Sequence, residues 1–115
     1  MARFFEESDS VVVNGICFPE IISALSRLQR ENKLNAHQYQ QCKKAVIEDF
    51  SMFEVCQLSS GILRTCVTVL ENTELRASDA IHVASAIETK VAVFVSSDKK
   101  QILAAKKFKL MVNSV

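Results

Sequence analysis

The chain has 115 residues, 49% of them apolar, with 14 Lys and Arg against 13 Asp and Glu and a formal charge of +1. That length supports one hydrophobic core, so residues 1–115 are expected to form a single domain. Balanced charge excludes a general polyanion binder, no run approaches the roughly 18 apolar residues of a membrane span, and the acidic start MARFFEESDS is unlike a secretory or transit peptide. A cytoplasmic protein is the expectation.

In chain order, the run from Val11 through Val13 to Ile16 and Cys17 is β-branched and apolar, typical of a strand buried on both faces. Pro19 is expected to open a helix at its first position, with Ile21, Ile22, Leu25 and Leu28 on one face. Asn35 with Gln38 resembles a capping box and starts a second helix carrying the stripe Tyr39, Cys42, Val46 and Phe50. The spacing predicts a helical hairpin that turns between Asn32 and Leu34.

Phe53 to Leu58 reads as a second strand. Ser59 or Ser60 then caps a helix with Ile62, Leu63, Cys66, Val67 and Leu70 as its apolar positions, and a further helix is predicted over 78–88. Val91 to Ser96 is the strongest strand signal, a short helix follows Asp98, and Leu110 to Val115 makes a last strand. Strands alternating with helices imply a parallel, right-handed α/β layer structure.

Cys17, Cys42, Cys56 and Cys66 form no C-x-x-C pair and lie among apolar neighbours, so they read as small buried hydrophobes rather than a zinc or redox set. The acids are more informative. Glu20, Asp79 and Asp98 each stand where an apolar run gives way to a helix start, and in an open parallel sheet those places share one edge, where ligands bind. Three carboxylates there could hold a hard divalent cation. Each also has a plainer reading as a helix cap or first-turn acid, and Asp98 with Gln101 forms a second capping-box pattern.

The segments FPEIISALSRLQRENKL, LRASDAIHVASAI and VFVSSDKK together resemble the second, third and fourth acidic motifs of PIN domains, in particular the VapC-type ribonuclease toxins of toxin–antitoxin pairs. The resemblance implies a three-layer α/β/α fold with a mostly parallel central sheet. It further implies an endoribonuclease dependent on Mg2+ or Mn2+, in which Glu20, Asp79 and Asp98 are the ligands and catalytic acids. Ser96 matches a hydroxyl position of the family that could hold a metal-bound water. His82, three residues after Asp79, could touch a ligand carboxylate or serve as a structural histidine. Lys99, Lys100 and Arg76 are candidate RNA-phosphate contacts, or parts of a solvated basic face.

Family members begin with a short apolar strand ending in an Asp, and MARFFEES resembles the segment that follows it. The resemblance therefore implies an N-terminally truncated form without the first strand and first ligand, with Glu6, Glu7 and Asp9 as poor substitutes and with weak or absent cleavage by these residues alone. Two further expectations follow: the runs 11–17 and 91–96 either pair directly or take a strand from a second copy, and the chain forms a homodimer or larger assembly beside any antitoxin partner. The alternative function is a catalytically inactive PIN-like interaction or dimerisation module.

Overall fold

The structure, a computed structural model, describes residues 11–91 and 93–114. Its elements run β1 (Val12–Asn14), α1 (Cys17–Arg30), α2 (Ala36–Ser51), β2 (Glu54–Cys56), α3 (Ser60–Asn72), α4 (Ala77–Glu88), β3 (Phe94–Ser96), α5 (Lys99–Lys107) and β4 (Val112–Ser114). The order is the alternating α/β pattern expected from the sequence. Glu6, Glu7 and Asp9 lie outside the described residues. Among the described residues no helix is long and apolar enough to cross a membrane.

The strands are shorter than their apolar runs. β1 ends at Asn14 because Ile16 already has helical dihedrals (φ −66°, ψ −19°), and α1 begins at Cys17. Pro19 consequently falls on the third helical residue rather than the first, which is harmless because the first turn's N–H groups have no intrahelical acceptor. β1 and β2 pair in parallel, with Glu54 N–H donating to the Val11 carbonyl (2.8 Å) and Gly15 N–H to that of Cys56 (2.9 Å). β3 and β4 form a separate parallel pair in the register Phe94 with Val112 and Ser96 with Ser114. Among the described residues the runs 11–17 and 91–96 thus do not pair with each other, contrary to one of the two arrangements expected; each instead takes the strand that follows it in sequence, one or two helices later.

The chain resolves into two compact units. One contains Val12 and residues 16–55, a hairpin of α1 packed on α2. Asn35 and Gln38 form the expected capping box, the Asn35 side chain accepting from Gln38 N–H (2.8 Å) and the Gln38 side chain from Asn35 N–H (2.9 Å). Phe50 links to Phe18 edge to face at 5.3 Å and to Phe53 at 5.5 Å between ring centroids. The predicted stripes are present, but every residue of both is only half-buried.

The other unit contains Val13–Gly15 and residues 56–115, and it holds the core. α3 contributes Ile62, Cys66 and Val69, α4 contributes Ala80, Val83, Ala84 and Ala86, and Phe94, Ala104 and Ala105 close the cluster. Small residues on α4 let α3 approach closely, and this pair makes the most extensive helix contact in the molecule. Leu63 and Val67, expected in the core, are 49% and 56% exposed. Of the five apolar positions expected on this helix, Ile62 and Cys66 are buried and Leu70 is half-buried against the core, and Val69 joins the buried row in place of Leu63 and Val67. Asn14 is fully buried and donates to Ser85 Oγ (3.1 Å), a polar pair inside the unit.

Three helices end alike. Asn32 (φ 60°), Lys90 (φ 54°) and Lys109 (φ 64°) follow α1, α4 and α5 in the left-handed region. Each is the pivot of a paired reversal in which its own N–H and the next one reach back to helix carbonyls: Asn32 to Gln29 and Lys33 to Leu28, Lys90 to Ile87 and Val91 to Ala86, Lys109 to Lys106 and Leu110 to Ala105.

Candidate functional site

Asp79 and Asp98 lie in the same unit and are joined through one side chain. Asp98 is the N-cap of α5, its Oδ1 accepting from Lys100 N–H (2.8 Å) and Gln101 N–H (3.0 Å). Asp79 is the third residue of α4, whose N-cap, Arg76, makes no side-chain cap bond, so the capping role open to Asp79 is not used. Its Oδ1 instead accepts from Gln101 Nε2 at 2.8 Å. The other end of that amide, Oε1, accepts from Ser96 Oγ at 2.8 Å, and Ser96 Oγ in turn accepts from Asp98 N–H at 3.0 Å.

The result is a continuous chain of hydrogen bonds from the Asp79 carboxylate through the Gln101 side chain and the Ser96 hydroxyl to the main-chain N–H of Asp98. Ser96 is buried at the end of β3 and Gln101 is half-buried, so both links are shielded, whereas Asp98 is exposed. Among the described residues nothing bonds the second oxygen of either carboxylate. Each carboxylate thus has an oxygen outside these bonds, and carboxylate oxygens suit a hard cation better than a soft one. Among the described residues no three His, Cys, Asp or Glu side chains are grouped as a metal cage.

The remaining candidates are placed as follows. Glu20 is exposed in the first turn of α1, in the hairpin unit. His82 is half-buried on α4, one turn after Asp79. Lys99, Lys100 and Arg76 are exposed, at the starts of α5 and α4. Lys100 also borders a shallow groove with Thr73, Glu74, Leu103 and Lys107, where Lys107 Nζ donates to the Asn72 carbonyl at the end of α3 (2.6 Å).

All four cysteines are free; of the four expected to be buried, Cys66 is, while Cys17, Cys42 and Cys56 are half-buried. Burial pushes the Cys66 thiol above its ordinary value. Cys17 is raised too, by burial first and by the Glu20 charge second. Sequence reasoning missed the bridging role of Gln101, because a Gln three residues after a capping Asp reads as half of a local box.

The PIN domain family model matches residues 1–107, and the chain belongs to that family. Its fold is similar to the solved structure of VapBC-1 from nontypeable Haemophilus influenzae, with a TM-score of 0.68 and 14% identity over 96% of this chain and 78% of that one. It is also similar to a toxin–antitoxin complex from Klebsiella pneumoniae, with a TM-score of 0.55 and 20% identity over 77% of this chain and 63% of that one. At those identities the likeness shows the fold. Among curated protein sequences none matches the chain significantly.

Proposed function

We propose that this PIN domain is a VapC-type endoribonuclease toxin that hydrolyses RNA phosphodiester bonds with Mg2+ or Mn2+. The observation that carries the reading is the coupling of Asp79 to Asp98 through Gln101 and Ser96. In this reading Asp79 and Asp98 hold the cation, with Glu20 as a third ligand assigned from its motif. A bound divalent cation supplies Lewis-acid polarisation of the phosphoryl oxygen and an acidified water.

The chain's own residues account for the rest. Lys99, Lys100 and Arg76 are exposed next to the two acids and attract the phosphate backbone of the substrate. The Ser96 hydroxyl proton is committed to Gln101 Oε1, so this side chain orders the turn and offers only a lone pair to a neighbouring water. His82 stands one helical turn from Asp79, within the family's D-A-x-H spacing. An antitoxin protein is the proposed partner and the cytoplasm the proposed location. Exposed Leu63 and Val67 on α3 support an association surface and keep a non-catalytic interaction module as the second reading.

Calorimetric titration of Mn2+ into the full chain and into Asp79→Asn and Asp98→Asn tests the proposal, together with Mn2+-dependent cleavage of RNA. Asparagine keeps the cap of α5, so a loss in Asp98→Asn reports the charge and not the helix. Both variants should lose Mn2+ binding and cleavage. Unchanged Mn2+ affinity in both would overturn the metal reading, and intact binding with no cleavage in the parent chain would favour the interaction module.

A further inference from the structure

Two helices of this chain begin with the same local pattern, an Asn or Asp cap followed three residues later by Gln, and they use it differently. In α2 the Gln38 side chain returns to the cap N–H and closes the box. In α5 the cap N–H of Asp98 is satisfied by Ser96 Oγ at 3.0 Å, which releases the Gln101 side chain from that duty. Gln101 instead reaches across to α4, its Nε2 donating to Asp79 Oδ1 and its Oε1 accepting from Ser96 Oγ, both at 2.8 Å.

The polarity of that amide is fixed from both ends. A carboxylate can only accept, so Nε2 must face Asp79; Oε1 then faces Ser96, whose single proton completes the link. We infer that Gln101 is a positioning residue: it aims the Asp79 carboxylate relative to Asp98 by bridging α4 to the turn between β3 and α5. The inference rests on the metal-site reading proposed above and adds to it the residue that sets the spacing of the two acids. Partners that orient a ligand carboxylate typically change metal affinity on the order of 10- to 100-fold when removed.

The test uses the full chain, Mn2+ alone as the probe, and three variants. Gln101→Met keeps the volume of the side chain and loses both bonds, Asp79→Asn removes the proposed ligand charge, and Gln38→Met removes the equivalent glutamine of α2. Free Mn2+ is followed by its electron paramagnetic resonance signal, and folding by thermal melting. Gln101→Met should weaken Mn2+ binding by about 10- to 100-fold, whereas Gln38→Met should lower the melting point and leave Mn2+ affinity as it was. Parental affinity in Gln101→Met, with binding lost in Asp79→Asn, would overturn the positioning role and leave the metal reading standing. Equal affinity in Asp79→Asn and the parent would instead sink the metal reading. In that case the side-chain amide resonances of Gln101 in metal-free protein decide the bridge: a shift in Asp79→Asn upholds it and no shift refutes it.

Discussion

The hairpin 16–55 and the unit 56–115 are built with the same start signals but rooted to different depths. Neither α1 nor α2 contains a buried residue, whereas α3, α4 and α5 close around Val69, Val83 and a set of alanines. The consequence falls on the acids. Asp79 and Asp98 stand on elements anchored in a closed core and are tied together by hydrogen bonds, while Glu20 stands on a helix that is half-buried at best. Rigid support is what lets a carboxylate keep a productive position, and the chain supplies it chiefly to two of the three candidates.

The largest expected effect probes that contrast directly. Val83→Asp puts an unpaired charge into a fully buried site and should cost about 4–5 kcal/mol or prevent folding, as judged by urea denaturation. Leu25→Asp, on the half-buried face of α1, should cost less than half as much. Equal losses would show that the hairpin is as deeply rooted as the core and would erase the distinction.

Caps sharpen it at a smaller scale. Asn35→Ala in α2 and Asp98→Ala in α5 each remove acceptors for helix N–H groups, and each should cost about 1 kcal/mol by the same measurement. If Asp98→Ala costs markedly more, the excess reports collapse of the Ser96 and Gln101 links, which has no counterpart at Asn35. Matching losses would mean that the links contribute little to stability.

Much of this was legible in the sequence. The capping box at Asn35, a cap at Ser59 or Ser60, of which Ser59 serves, and the cap at Asp98 are local devices, complete within four residues and legible in the chain directly. What was misjudged depends on tertiary choice. α3 carries two adjacent apolar rows, and only packing against α4 decides that Ile62, Cys66 and Val69 go inside while Leu63 and Val67 stay out. Gln101 likewise had a local partner available, and an acid 22 positions earlier took its place because α4 and α5 come together there.

The smallest expected effects concern the thiols. Cys17 and Cys66 both have folded pKa values raised above the unfolded value of about 9.0, so the folded state holds these protons more tightly. Their contribution to stability is therefore full below about pH 9 and is lost as pH rises through the folded values. Unfolding free energy measured from pH 7 upward should decline in that alkaline window. Glu20→Gln should lower the Cys17 pKa and speed its alkylation by iodoacetamide at fixed pH, leaving Cys66 slow. An unchanged Cys17 rate would show that burial alone raises it.

The three helix reversals at Asn32, Lys90 and Lys109 leave an untapped reserve of stability. A side chain with a Cβ in the left-handed region costs roughly 1–2 kcal/mol in strain, and at two of these three positions the residue is a lysine, without the local hydrogen bonding that eases Asn into that region. Glycine would relieve the strain while leaving the backbone bonds that define each reversal in place, since those bonds use only main-chain atoms. Lys90 and Lys109 are both exposed and precede the segments that lead into β3 and β4. Glycine at these two turns is thus a route to a more heat-resistant protein that leaves the acids and their supporting glutamine unchanged.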